Sequence, residues 1–196
     1  MCRRCIQINI KNKKMKNLLK TMAVAALMIT SSNLFAQTTV VGGEQMFPAK
    51  NIVENAVNSK DHTTLVAAVK AADLVETLAS KGPFTVFAPV NDAFENLPEG
   101  TVETLLKPEN KGQLTKVLTY HVIPGTYDAA SIEKLIKKGN GVAKLKTVAG
   151  EELTFKMNGS RNITVSDTKG AIANITVYDV RQSNGVIHVI DRVLLP

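Results

Sequence analysis

Phe84-Thr85-Val86-Phe87-Ala88-Pro89-Val90-Asn91-Asp92-Ala93-Phe94 (FTVFAPVNDAF) is the stretch from which the rest of the chain is read. Phe84, Val86 and Ala88 alternate with Thr85 and Phe87, the period of a strand. Pro89 has no N–H for a sheet ladder and ends it. Asn91 and Asp92 carry short side-chain oxygens suited to capping a helix, and Asp92 is assigned that structural role. Ala93, Phe94 and Leu97 open an apolar face that Pro98 closes. A strand therefore hands over to a capped helix, with no nucleophile, base or metal cluster between them.

Working outward, the chain divides by charge. Its 24 Lys+Arg exceed its 17 Asp+Glu, a net +7 that suggests a nucleic-acid partner. Residues 1–36, however, hold Arg3, Arg4, Lys11, Lys13, Lys14, Lys16 and Lys20 and no acid. Removing those seven from 24 leaves 17 basic against 17 acidic residues, so the basic excess belongs to the leader and nucleic acid is not expected. The leader reads as an export signal. Met15 to Lys20 is charged, Thr21 to Ile29 (TMAVAALMI) is apolar, and Thr30 to Ala36 is a polar-to-small exit with cleavage expected before Gln37. The apolar run falls short of the ~20 residues of a spanning helix, so no transmembrane anchor is expected. Met15 is read as the start and residues 1–14 as an upstream extension.

Cys2 and Cys5 both lie in that extension, so the exported chain has no disulfide, thiolate zinc site, Cys nucleophile or lipid-bearing Cys. Taking the 36-residue leader from 196 leaves 160 residues, enough for one domain burying about 70% of its unfolded surface. Residues 37–46 are polar and glycine-bearing and are expected to be flexible; residues 47–196 are expected to form the domain.

Within 47–196, helical spacing dominates the first half. Ile52, Val53, Ala56 and Val57 give one apolar face, and Leu65 to Ala79 another that Ala72-Asp73 divides. Leu114, Val117, Leu118 and, one turn on, His121 line a longer helix from Asn110 to Tyr120. Residues 131–138 are open to either a helical or an irregular reading. Strands then follow glycine turns: Leu153-Phe155-Met157, Ile163-Val165, Ile172 to Val180, and Val186 to Leu195, the last apolar on both faces as a covered central strand should be. Helices first and strands last, with one early strand, predict an α+β domain.

Three blocks resemble the fasciclin domain family. The first is the opening stretch, with Val90 where the family usually has Thr. The second is the Tyr-His pair with apolar flanks, Leu118, Tyr120, His121, Val122 and Ile123. The third is NGVIHVIDRVLLP, Asn184 to Pro196. The resemblance spans roughly residues 47 to 196. It implies a wedge-shaped β-sandwich with several short helices along one side and a non-catalytic, adhesive or matrix-associated role outside the cytoplasm. It also implies that the Tyr-His segment contributes to partner binding, since animal relatives use it for integrins.

Residue chemistry pulls the other way for that pair. His121 shares its helical face with Leu114, Val117 and Leu118 and reads as a hydrogen-bonded core histidine. Tyr120 reads as mixed, its ring packed and its hydroxyl reaching the surface. Binding is then placed on the rim from Ile123 to Tyr127. Phe87 and Val189 are assigned to the core, and Asp191 to an ion pair or a backbone-accepting role. His121, His188 and Asp191 lack close ligand spacing such as H-x-x-x-H, so neither metal nor other cofactor is expected. Ser160 lacks the setting of a nucleophile elbow. Asn158, Asn162 and Asn174 open N-x-S/T triplets, relevant only in a glycosylating host. The partner is expected to be a protein or polysaccharide of matrix or cell surface, or a second copy. A soluble periplasmic small-ligand binder is the alternative.

Overall fold

The structure, a computed structural model, describes residues 38–196. The leader, its cleavage point and both cysteines lie outside the described residues. The described chain opens with strands β1 (Thr39–Val41) and β2 (Glu44–Met46), followed by helices α1 (Ile52–Ala56), α2 (Thr63–Ala71) and α3 (Val75–Ala79). Strand β3 (Phe84–Pro89) leads into α4 (Asn91–Glu95), α5 (Thr101–Leu106) and α6 (Lys111–Tyr120). After β4 (Val122–Pro124) and α7 (Ala129–Lys138) come β5 (Val142–Lys146), β6 (Glu152–Asn158), β7 (Asn162–Ser166), β8 (Ile172–Gln182) and β9 (Gly185–Ile190). The domain is α+β, with its helices early and most of its strands late.

Seven strands form one sheet in the order β4-β3-β9-β8-β7-β6-β5. Strands β3 and β9 run parallel, from Phe84↔Gly185 to Pro89↔Ile190, and the other neighbours are antiparallel. This pair is buried almost throughout, as its mostly apolar composition requires, with Thr85 and His188 the buried polar residues. Gly185 permits the close start: a Cβ there would stand 2.0 Å from the Phe84 carbonyl oxygen.

The sandwich arises because the sheet turns back through β8. Residues Ile172 to Asn174 pair with β7, and Ile175 to Gln182 with β9. Register shifts lie between Ile175 and Val177 and between Val177 and Val180, and Asp179 adopts φ 55° there. Such bulges bend and twist a strand. The curled sheet nearly closes into a barrel, with Val148 N–H donating to the Val122 carbonyl at 2.8 Å across the gap beside β4. Inside it, Phe87, Ile123, Phe155, Val165 and Ile190 pack with Ile132 and Ile136 of α7.

Three expectations are corrected. Residues 39–46 are a hairpin, not a flexible tail: Val41 and Met46 are buried, and Gly42-Gly43, at φ 62° and 76°, form the two-residue left-handed turn that suits strand twist. The last strand stops at Ile190. Beyond it, the Asp191 carboxylate accepts from the Asn174 backbone N–H and side-chain amide, each at 2.7 Å. Third, Asp92 does not cap α4. It is exposed in the first turn, and the N-cap position belongs to Val90 without a side-chain bond.

Its neighbour Asn91 caps a different helix. The Asn91 Oδ1 accepts from Thr64 N–H at 3.1 Å and from the Thr63 hydroxyl at 3.2 Å, while its Nδ2 donates to the Lys60 carbonyl at 2.8 Å. Thr63 and Thr64 open α2, whose own N-cap residue, His62, supplies no side-chain bond, and Lys60 lies in the turn before it. Asn91→Ala should therefore lower stability by about 1 kcal/mol, as loss of a cap does. Asp92→Ala should stay within about 0.5 kcal/mol of wild type. Urea midpoints of the two variants check this, and equal losses would refute the reassignment.

Candidate functional site

The apolar face of α6 buries Leu114, Val117 and Leu118 and delivers the chain to Tyr120 and His121 at the entry to β4. The His121 Nδ1 lies 2.8 Å from the Val117 carbonyl and donates to it, which leaves Nε2 to accept from Leu194 N–H at 3.0 Å. The His121 carbonyl accepts from Phe87 N–H at 2.9 Å. One residue thus ties a helix end, the carboxy-terminal segment and the central sheet together. Burial holds its imidazole down to about 4, against the opposing pull of the Val117 hydrogen bond and the Asp167 carboxylate.

Tyr120 is fully buried. Its hydroxyl donates to the Glu152 carbonyl at 3.3 Å and accepts from Thr168 N–H at 3.2 Å. The expected surface hydroxyl is therefore corrected: the segments around Glu152 and Thr168 fold over the end of the ring. Ile123 is 1% exposed within the main core. As partner contacts, Tyr120, His121 and Ile123 are excluded by burial. Tyr127 is half-buried; its N–H donates to Thr85 Oγ1 at 2.9 Å and its carbonyl accepts from His188 Nε2 at 2.8 Å.

His188 is buried beside the Phe87 ring, 5.4 Å between centroids, and its Nδ1 accepts from Asp179 N–H at 3.4 Å. Burial lowers its pKa as well. Both ring nitrogens of His121 and of His188 are thus committed to the backbone. Among the described residues no group of three His, Cys, Asp or Glu could hold a metal ion. A nucleophile–base contact does occur, Ser59 Oγ to His62 Nδ1 at 2.8 Å. Both residues are buried under the amino-terminal hairpin, where Ser59 also reaches the Val41 carbonyl, so a substrate has no path to the hydroxyl.

What the Tyr-His segment does present lies just beyond it. Pro124 and Thr126 are exposed, and Thr126 with Asp128 forms one wall of an open groove of about 650 Å³. The turn Ser80 to Pro83 and the turn Arg181 to Asn184 supply the other walls. The two turns meet because each precedes one of the parallel central strands. Asn184 fixes them: its Nδ2 donates to the Leu78 and Ser80 carbonyls at 2.8 and 2.9 Å, and its Oδ1 accepts from Ile52 N–H at 3.0 Å. Asp128 caps α7 through Ser131 N–H at 2.9 Å. Hydrogen bonds from Ser131 hold its carboxyl below the usual range, with Arg181 and Lys134 adding to the effect.

Lys81 and Arg181 are exposed and place two cations on this open surface. Sequence reading found Thr126 only as part of a rim and missed Lys81, Arg181 and Asn184. Gly82-Pro83 and Asn184-Gly185 are turn-forming dipeptides, but their meeting depends on the pairing of β3 with β9.

The sequence profile of the fasciclin domain family matches residues 60–196. "Protein sll1483" of Synechocystis sp. is 48% identical over 178 residues, covering 90% of this chain and 87% of that protein. The transforming growth factor-beta-induced protein ig-h3 of Sus scrofa is 35% identical over 150 residues, 76% of this chain but 20% of that protein. Among solved structures, a FAS1 domain pair from the insect cell adhesion molecule Fasciclin I superposes with a TM-score of 0.66 at 18% identity, over 76% of this chain and 52% of that one. At that identity the likeness establishes the fold.

Proposed function

We propose, from the premise that this chain belongs to the fasciclin domain family, that it is a non-catalytic adhesion module. It works in the periplasm or outside the cell and binds a protein or polysaccharide of a matrix or surface. The observation that carries the reading is the groove beside Thr126, where the rim of the Tyr-His segment meets Lys81 and Arg181. Its walls carry Lys81, Arg181, Thr126 and Ser183 and no aromatic side chain, which favours a partner that brings hydrogen-bonding groups and negative charge. Export fits the charged and apolar leader, and no helix among the described residues is long and apolar enough to cross a membrane.

The test separates surface from core. Reversing both cations, Lys81→Glu with Arg181→Glu, should leave the urea midpoint nearly unchanged, since both are exposed. Retention on matrix prepared from the source culture should fall about tenfold or more, the scale set by losing charged contacts at an interface. His121→Ala should do the opposite. It strands the Leu194 N–H and the Val117 carbonyl, lowers stability by about 1–3 kcal/mol, and reduces adhesion only as the fold is lost. A folded His121→Ala protein that no longer adheres, beside a charge-reversed protein that does, would overturn the assignment.

A small-ligand role is the second reading, favoured by a groove volume within the ~300–1,000 Å³ of ligand pockets. A thermal-shift screen distinguishes it: a small molecule that saturably raises Tm of the wild type but not of the Lys81→Glu, Arg181→Glu protein, and is displaced by no matrix fraction, would support it over adhesion.

A further inference from the structure

The helical layer does not close fully on the sheet. Leu65, Val66, Val75 and Leu78 wall a crevice of about 50 Å³ whose floor includes Val86 and Ile187. The four wall residues are only half-buried, so the crevice reaches solvent. One water needs ~10–15 Å³ by this measure and two to four polar partners. The crevice has the room and lacks the partners. Its polar side chains are Lys70 and His121, and both ring nitrogens of His121 are already bonded to the backbone. Apolar walls that water cannot wet favour an apolar occupant, which restores the dispersion contacts the void forfeits.

At the mouth stands Lys70, exposed, with no ion-pair partner among the described residues. We propose that this crevice takes the alkyl end of a medium-chain carboxylate whose head pairs with the Lys70 ammonium. The crevice shares no residue with the groove and does not rest on the adhesion reading. Burial of each methylene should tighten binding roughly fourfold, until the crevice is full. The exposed ion pair should add a factor of up to about five.

Octanoate, below its micelle concentration, is the probe for the purified full-length protein. It should raise Tm saturably and shift the methyl resonances of Val66, Val75 and Leu78. Heptan-1-ol, with the same seven-carbon alkyl chain but no charge, should bind more weakly by up to about fivefold, and Lys70→Glu should abolish that preference. Val66→Trp, filling the crevice from its half-exposed wall, should lose octanoate binding without lowering the urea midpoint. If Val66→Trp does not fold, the series from butanoate to octanoate decides, with affinity rising at each step and then levelling. Equal binding of heptanol and octanoate, octanoate retained by a folded Val66→Trp protein, resonance shifts scattered away from the crevice, or no dependence on chain length would each overturn the proposal.

Discussion

Lowering the pH from 7 to 4 is expected to destabilise the domain by about 3 kcal/mol through His121 alone, from an imidazole ordinarily at 6.5 held to about 4 in the fold. The native state keeps this ring neutral, because protonation would put a second proton on Nε2, which accepts from Leu194, in a site closed to water. Between pH 6.5 and 4 the unfolded chain therefore binds the proton and the native chain does not, so stability is full above pH 6.5 and is lost as pH falls through that window. His62 and His188, the other two histidines of the chain, are also lowered by burial and act with the same sign. Domains of this size have roughly 5–15 kcal/mol in total, so acid unfolding should begin well before most carboxylates titrate. Urea midpoints at pH 7, 6, 5 and 4 measure this. A midpoint that holds steady from pH 7 to 4.5 would show that the native fold accommodates the imidazolium.

Phe87→Ala is the second large expected effect, a loss of about 3–5 kcal/mol. The ring is wholly buried, tilted against Phe155 at 5.4 Å and stacked at the same separation on His188, its partner in the neighbouring strand. Phe155 and His188 are held in paired strands and could move little to fill the space. Val189, 2% exposed in β9, loses two methyl groups on substitution by Ala and should cost about 2 kcal/mol. Equilibrium urea unfolding ranks the pair. A Phe87→Ala midpoint within error of wild type would mean that the core collapses around the deletion.

The order of these effects reflects what the residues could disclose. Strand β3 and the covered last strand were legible because backbone period and composition are local, and the same holds for the core position of His121, which follows from its spacing to Val117 and Leu118. Helix capping was not legible at Asn91 and Asp92. The residue types were right for a cap, but the helix that receives it begins at Thr63, and nothing local tells Asn91 to turn toward it. The Tyr120 hydroxyl was misread for a similar reason, because its partners at Glu152 and Thr168 come from distant segments. The amino-terminal hairpin carried a local signal, Gly42-Gly43 between short β-prone runs, that polar composition obscured. The groove was legible only as two separate turns.

The parallel pairing of β3 with β9 also sets a timetable. Its two strands stand about a hundred residues apart in sequence, from Phe84↔Gly185 to Pro89↔Ile190. Strand β9 joins β3 only after a loop of about a hundred residues has closed, and that closure is unfavourable until the contacts that offset its entropy have formed. The hairpin pairings β5 with β6 and β6 with β7 need no such loop. The parallel pair is therefore expected to be the slow step of folding, with the His121–Leu194 bond waiting on the same closure.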